Sequence, residues 1–272
     1  MHPELFSLHL FGNNMIITSY SFFYMLAVIF VIVGSYISVV KNGFSHRKTF
    51  CMLFFVTLAG FVGARLLHWM LNPTLYANGQ LHILSLHMSG FTIVGGLIFA
   101  IVAGIIVGKV CSVNVWRFGD IIVPYLGLGV AIARIGCFLN GCCFGHVTSL
   151  PWGIKFPLLS YAHQYQITHG IGNIFAVARV HPTQIYEMIA VIVGSLIAIV
   201  INHKKIFDGA AILFFGMWFS SFRLINMFFR QMPDSLMLSQ NKYIVVYFGI
   251  FVLCLIIFLY QLRRQKTGNI VQ

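Results

Sequence analysis

The chain has 272 residues, of which 59% are hydrophobic and only 8% charged, and its mean hydropathy is +0.90. Soluble domains carry about a quarter charged residues, so this composition excludes a soluble globular protein and indicates a polytopic membrane protein. The formal net charge of +12 does not indicate a nucleic-acid partner, because the basic residues fall in short clusters between apolar runs.

Seven stretches are long and apolar enough to cross a bilayer, which takes about 20 residues. The fourth stretch is the least regular, because it contains Asp120, Pro124 and several glycines, and we expect it to be kinked. The start of the chain lacks the basic residues of a cleavable signal peptide, so the first span is expected to remain as an anchor. We predict an all-α integral membrane protein with a single transmembrane domain over 1–272. Its predicted spans are 15–40, 50–72, 91–110, 118–140, 183–202, 209–229 and 242–262.

The loops between these spans alternate in charge, and this alternation predicts the orientation. Ten basic residues lie on one side and four on the other. The ten are Lys41, Arg47, Lys48, Lys109, Arg117, Lys204, Lys205, Arg263, Arg264 and Lys266, and the four are Lys155, Arg179, Arg230 and Lys242. Because basic loops stay in the cytoplasm, we expect the N-terminus outside and the C-terminus in the cytoplasm. Residues 141–182, between spans four and five, then form a small cap on the outer, periplasmic face.

Three arginines interrupt the apolar spans: Arg65, Arg134 and Arg223. A guanidinium stays charged in any protein, and its placement at bilayer depth costs at least about 3 kcal/mol. Such a residue normally faces a cavity, a partner or a ligand. If Arg134 and Arg223 converge, they form an anion site, and the natural anion in a membrane is a phospholipid phosphate. The alternative for Arg134 is a side chain that reaches to the membrane surface.

The block 133–145 reads ARIGCFLNGCCFG and surrounds Arg134 with small residues. Gly136, Gly141 and Gly145 allow a backbone or a lipid headgroup to approach closely, and Asn140 offers both a donor and an acceptor. The block predicts either a headgroup-binding turn or simply the glycine-rich end of a helix.

Two later segments add titratable groups. His181 lies next to the membrane surface before a helix start at Pro182 and Thr183, and Glu187 follows about a turn and a half into that helix. Glu187 can neutralise Arg134 or Arg223, and a purely structural ion pair is the alternative.

Arg230 marks the outer interface of the next span, where Arg223 lies on the same helix face about 10 Å deeper. The pair therefore predicts a basic track that leads inward.

Gly95 and Gly96 can open a helix end, although tight helix packing is the commoner reason for such a pair. The cluster Cys137, Cys142 and Cys143 with the nearby His146 matches no established zinc spacing. A disulfide from Cys137 is an alternative on an oxidising face, and plain packing is the simplest interpretation. The sequence contains no phosphate-binding Gly-Lys loop, dinucleotide fingerprint or nucleophile elbow, so chemistry driven by nucleotides is not expected.

Taken in order, these blocks resemble the prolipoprotein diacylglyceryl transferase family of bacterial inner membranes. The resemblance runs from about Tyr20 to Arg230. It is carried by Tyr20 in the first span, Gly63-Ala64-Arg65-Leu66, Gly95-Gly96-Leu97, Arg134 to Gly145, His181-Pro182-Thr183-Gln184-Ile185-Tyr186-Glu187, and Arg223 with Phe228-Phe229-Arg230.

The resemblance implies that phosphatidylglycerol donates its diacylglyceryl group to the lipobox cysteine thiol of a prolipoprotein signal peptide, with release of glycerol phosphate. It implies a multi-pass protein of the inner membrane that acts among membrane lipids, with no metal, nucleotide or other cofactor. Arg134 and Arg223 would bind the phosphate and stabilise the leaving group, while Tyr20 and Asn140 would orient the headgroup. The other residues expected at the substrate by this resemblance are Gly95, Gly96, Gly145, Tyr186, Glu187 and Arg230.

The chain departs from the family pattern where protons are handled. The family often has a histidine at the position of Val94, an asparagine at Cys137, and glutamates at Cys142 and Met227. His181 can accept the thiol proton instead, or a basic pocket can lower the pKa of the thiol without a base. Two alternatives stay open: a divergent paralogue that transfers phospholipid groups to another acceptor, and a phospholipid-binding protein without catalysis.

Overall fold

The computed structural model describes residues 4–10, 13–79, 82, 91–231 and 240–270. Nine helices and one hairpin account for most of these residues. They are β1 (Glu4–Leu10), β2 (Asn13–Thr18), α1 (Ser19–Lys41), α2 (His46–Leu71), α3 (Pro73–Ala77), α4 (Ile93–Val110), α5 (Val115–Asn140), α6 (Tyr161–Thr168), α7 (Thr183–Lys204), α8 (Ala210–Phe229) and α9 (Gln240–Ile270).

Six of these helices are long and apolar enough to cross a membrane, and the fourth helix supplies a shorter apolar stretch, Val94–Val110. Each overlaps one of the seven predicted spans, so the prediction of an all-α multi-pass membrane protein is confirmed. Pro124 lies inside α5, as the sequence indicated. The outside position of the N-terminus and the periplasmic position of the cap stay predictions from the loop charges.

The predicted start of the first span, at residue 15, was wrong, because α1 begins four residues later at Ser19. Residues 15–18 belong to β2, which pairs in antiparallel register with β1 through pairs such as Leu8 and Met15. The run Ile16-Ile17-Thr18 is β-branched, which favours a strand over a helix. The last helix is longer than the predicted 242–262, because α9 continues through the polar residues that follow the apolar run.

The chain divides into two compact units, one formed by residues up to 31 together with those from 122 onward, and the other by residues 32–121. In the first unit, α8 packs against both α7 and α9. The cap between α5 and α7 contains α6 and a small apolar core of Phe144, Phe156, Ala162 and Val180. In the second unit, α2 packs closely against α4.

Glycines set the close approach of α2 and α4. A Cβ atom on Gly95 would overlap the carbonyl oxygen of Gly63 and lie 2.6 Å from the Cβ of Leu67. A Cβ on Gly96 would lie 3.1 Å from the carbonyl oxygen of Gly60. The hydroxyl of Thr92 also donates to the carbonyl of Ala64 at 3.1 Å. The double glycine therefore has a packing role, because small residues let two membrane helices approach each other.

Gly95→Ala should lower the free energy of unfolding by about 1–3 kcal/mol, because the added methyl group must displace α2. The melting temperature of the detergent-solubilised protein should fall accordingly. Gly104→Ala, on the same helix, is the matched control. A Cβ there would meet only Val56 at 3.7 Å, so this variant should melt like the wild type. Equal melting temperatures for the two variants would contradict the packing role.

Candidate active site

A buried carboxylate joins three helices at the centre of the first unit. Glu187 of α7 is only 2% exposed. Its Oε1 accepts a hydrogen bond from Arg134 Nη2 of α5 at 2.7 Å, and its Oε2 accepts one from Arg223 Nη1 of α8 at 2.8 Å. Arg134 and Arg223 therefore converge, as the anion-site hypothesis required. The sequence suggested that Glu187 neutralises one arginine or the other, whereas it contacts both.

The carboxylate uses only part of each guanidinium. Arg134 Nη1 faces two thiols, with Cys137 Sγ at 3.6 Å and Cys143 Sγ at 3.9 Å. Arg134 Nε is buried and has no hydrogen-bond partner among the described residues. Arg223 Nε donates to the hydroxyl of Tyr247 at 3.3 Å, and its guanidinium lies 5.2 Å from the centre of that ring. Several strong donors thus remain next to a single carboxylate.

Arg230 adds a third guanidinium to this region. It follows the last residue of α8, pairs with Gly145 in an isolated β-bridge, and acts electrostatically on Glu187. Its Nε is also buried without a hydrogen-bond partner in the part of the chain that the structure describes. Three guanidiniums near one carboxylate leave an excess of positive charge, which suits a bound anion.

Backbone hydrogen bonds hold three separate segments together around Gly145. Gly145 N donates to His181 O at 2.8 Å, and His146 N donates to Phe229 O at 2.8 Å. Gln231 N donates to Phe144 O at 3.0 Å. A Cβ on Gly145 would lie 2.6 Å from the Cβ of His181, so only glycine fits here. This network carries His181 and Arg230 to the end of α5.

His181 lies in an aromatic setting at the start of α7. Its Nδ1 lies 3.1 Å from the hydroxyl of Tyr186, which also accepts a hydrogen bond from Trp152 Nε1 at 2.9 Å. The ring of Phe229 is 5.1 Å away. Partial burial, and then the nearby His146, lower the pKa of His181. Its imidazole is therefore neutral at physiological pH and able to accept a proton.

The three clustered cysteines converge at the end of α5. The sulfur atoms of Cys137, Cys142 and Cys143 lie within 4.8 Å of one another, and all three are free thiols. The turn that brings them together has left-handed backbone at Gly141, with φ of 71°, and at Cys143, with φ of 62°. The disulfide considered from the sequence is not formed in this structure.

A family model described as "Prolipoprotein diacylglyceryl transferase" matches residues 6–261. The chain belongs to the prolipoprotein diacylglyceryl transferase family. Among its relatives are proteins named "Phosphatidylglycerol–prolipoprotein diacylglyceryl transferase" from Staphylococcus aureus strains JH9, Newman and JH1. Each is 29% identical over 232 residues, which cover 84% of this chain and 78% of the relative. The family resemblance of the ordered motifs is thereby confirmed.

Most of the residues predicted for a transferase site of this family lie in the first unit. They are Tyr20, Arg134, Asn140, Gly145, His181, Tyr186, Glu187, Arg223 and Arg230. Tyr20 is half-buried on α1, where its backbone packs against α5 at Gly136. Asn140 is the last residue of α5. Their roles toward a substrate stay predictions.

Gly95, Gly96 and Arg65 lie in the second unit. Arg65 is buried, with 4% exposure, and donates to the carbonyl of His82 at 2.7 Å. Its guanidinium lies 4.9 Å from the centre of the Phe91 ring. These contacts give Arg65 partners within its own unit, and substrate binding by the double glycine stays a prediction.

Three further residues make contacts at this site that the sequence pattern does not predict. Thr183 and Gln184, both 1% exposed, donate to the carbonyls of Cys143 and Cys142 at 2.6 Å each. Tyr247 of α9 contacts Arg223. The His-Pro-Thr-Gln segment pointed to a helix start, but its contact with the cysteine turn depends on a fold that spacing alone does not reveal.

Glu187→Gln should destabilise the protein by about 3–5 kcal/mol, because it leaves two buried guanidiniums without a countercharge. The control is Lys155→Gln, which removes an exposed charge in the cap and should change the melting temperature little. Thermal unfolding in detergent measures both. A Glu187→Gln protein as stable as wild type would contradict the structural importance of this ion pair.

Proposed function

We propose that the protein transfers the diacylglyceryl group of phosphatidylglycerol to the lipobox cysteine thiol of prolipoproteins, in a bacterial inner membrane. The observation that supports this most directly is the convergence of Arg134 and Arg223 on one buried carboxylate, on which Arg230 also acts electrostatically. The relatives' names include phosphatidylglycerol, so we take this lipid as the anion that the arginines bind.

The phosphodiester of phosphatidylglycerol carries one negative charge and two free oxygens, and both features suit this site. Arg134 Nε and Arg230 Nε are buried donors without partners among the described residues. An unsatisfied buried donor costs about 1–3 kcal/mol, and a phosphate oxygen would remove this penalty. Guanidinium groups bind phosphate through paired N–H donors, so these side chains match the ligand in charge and in geometry.

The same groups support the chemical step. When the thiolate attacks the glyceryl carbon, the carbon–oxygen bond to phosphate breaks, and negative charge grows on the departing glycerol phosphate. Arginines held in place by Glu187 need little rearrangement to stabilise that charge, which is the arrangement that lowers a barrier most. Glu187 acts here as the residue that positions both guanidiniums.

The acceptor must become a thiolate, because a neutral thiol is a poor nucleophile. We propose His181 as the group that takes its proton. The imidazole is held by Tyr186, and its lowered pKa keeps it in the neutral form that accepts protons. Prolipoprotein signal peptides would approach from the surrounding lipid, where both substrates are anchored.

The altered positions favour one second candidate, a paralogue that transfers the lipid group to a different acceptor. Val94, Cys142 and Met227 stand where the family often has a histidine and two glutamates, and Met227 is buried at 2% exposure. Growth of cells depleted of their own transferase, with this chain as the only source, separates the two functions. Rescue supports the lipobox acceptor, and an expressed but inactive chain supports the paralogue.

Arg134→Ala and Arg223→Ala should each lower kcat for transfer from labelled phosphatidylglycerol to a lipobox peptide by about 10²–10³-fold. Each variant loses a preorganised positive charge that would stabilise the leaving group. Arg134→Lys keeps the charge but loses the paired donors, so it should also be impaired. Arg179→Ala, in the exposed part of the cap, is the matched control and should transfer normally. Wild-type transfer by Arg134→Ala would exclude a phosphate-binding role.

The pH dependence tests His181. Because the pKa of His181 lies below its ordinary value, the acid limb of the kcat/KM profile should fall below about pH 6.5. His146→Ala removes the electrostatic effect of His146 that lowers the pKa of His181, so this pKa rises and the acid limb should move to higher pH. An acid limb that stays in place in His146→Ala and persists in His181→Ala would show that another group takes the proton.

A further inference from the structure

A tight turn and two buried hydrogen bonds fix the backbone around the cluster of Cys137, Cys142 and Cys143. Cys137 is buried at the end of α5, and the turn at Gly141 brings Cys142 and Cys143 back beside it. Buried Thr183 and Gln184 fix the carbonyls of Cys143 and Cys142 with hydrogen bonds of 2.6 Å. The helix that carries Glu187 thereby fixes the turn with Cys142 and Cys143, and all three sulfur atoms lie within 4.8 Å of one another.

We propose that Cys137, Cys142 and Cys143 bind a Zn²⁺ ion through three thiolates and leave its fourth position for the acceptor thiol. This inference rests on the proposed function for the identity of the fourth ligand, but not for the metal site itself.

The spacing of the sulfur atoms fits the ion. Zinc binds thiolates at about 2.3 Å, which places the sulfurs of a tetrahedral site about 3.8 Å apart. The observed limit of 4.8 Å therefore closes to a zinc site through small side-chain rotations. Three thiolates select soft or borderline metals over Mg²⁺ or Ca²⁺.

The positive charge of Arg134 beside the cluster would repel bare Zn²⁺ but would stabilise a zinc ion that is already bound to three thiolates. Zn²⁺ with three thiolates carries one net negative charge. Arg134 Nη1 lies 3.6 Å from Cys137 Sγ and 3.9 Å from Cys143 Sγ, where it can donate to both sulfurs and offset that charge. Donors of this kind, just outside the ligands, orient them and tune the metal.

The ligand count leaves one position open. Among the described residues, no histidine or carboxylate joins the three sulfurs in the cluster. Glu187 is already bound to two guanidiniums. Zinc sites with three protein ligands and one exchangeable position are the catalytic kind, whereas structural sites have four protein ligands.

An open position on zinc offers a way to deprotonate the acceptor thiol, which the altered motif lacks because Val94 stands where the family often has a histidine. A thiol that binds zinc loses its proton, so the acceptor cysteine would bind as its thiolate and release the proton to a neighbouring base or to water. The thiolate then forms a carbon–sulfur bond to the glyceryl carbon while the carbon–oxygen bond to phosphate breaks. The electron pair of that bond leaves with glycerol phosphate, and zinc remains Zn²⁺ throughout.

The first test is metal content of the full-length protein, purified in detergent under reducing conditions and measured by elemental analysis. We expect about one zinc per chain in the wild type, and at least about a tenfold loss in Cys137→Ser, Cys142→Ser and Cys143→Ser. Cys111→Ser, which changes a cysteine at the end of α4, is the matched control and should retain the metal. Copper in place of zinc, a disulfide among the three, or zinc retained by all variants would overturn the proposal.

The second test uses the wild-type chain alone, so it does not depend on whether the variants fold. Replacement of the metal by Co²⁺ should give the absorption bands of tetrahedral cobalt with sulfur ligands. A lipobox peptide should then strengthen the sulfur-to-cobalt charge-transfer band, whereas a peptide with serine at the acceptor position should not. An unchanged spectrum with the cysteine peptide would overturn the open-position assignment.

Failure of this proposal is distinguishable from failure of the proposed function. Diacylglyceryl transfer that survives complete removal of zinc by a chelator would overturn the zinc site's role and leave the transferase intact. Zinc binding and a thiol-sensitive cobalt spectrum without transfer from phosphatidylglycerol would support the site and count against the transferase.

Discussion

The ion pair of Glu187 with Arg134 and Arg223 is the interaction on which the rest of this site depends. Two charges buried in α5 and α8 are compensated by one carboxylate in α7, and all three side chains are less than 15% exposed. A buried charge is tolerated only when it is paired, so the position of each helix relative to the others is constrained by this contact. The pair also holds Arg134 beside Cys137 and Cys143, and Arg223 beside Tyr247 of α9.

A second constraint acts at the membrane-surface end of the same helices. The backbone of residues 144–146 bonds to His181 on one side and to Phe229 and Gln231 on the other. Gly145 permits this approach, since a side chain there would collide with both segments. As a result, the turn after α5, the start of α7 and the end of α8 meet in one place. These backbone contacts bring His181 and Arg230 to the turn that follows α5, although the three segments are far apart in sequence.

Much of this was predictable from the sequence. Apolar length located the helices to within a few residues, and the cost of a charge at bilayer depth singled out Arg134 and Arg223 before their partner was known. The scarcity of acidic residues made Glu187 the natural countercharge. Family resemblance arranged the motifs in order but did not reveal which of them touch.

What the sequence did not predict depends on tertiary contacts. The N-terminal hairpin was missed because Ile16 and Ile17 continue an apolar run that also suits a helix. The cysteines carried no recognisable zinc spacing, since Cys137 belongs to a helix and Cys142 and Cys143 to the turn that folds back on it. The roles of Thr183 and Gln184 were hidden for the same reason, because their partners are backbone carbonyls about 40 residues earlier in the chain.

We propose that the arginines beside Glu187 bind a phospholipid phosphate, and equilibrium lipid binding tests this without any chemical step. Native mass spectrometry of the purified protein, with phosphatidylglycerol and phosphatidylethanolamine offered together, measures the preference. We expect the wild type to retain phosphatidylglycerol and a folded Arg134→Ala/Arg223→Ala double variant to lose that preference. A preference that is equally strong in both proteins would contradict it.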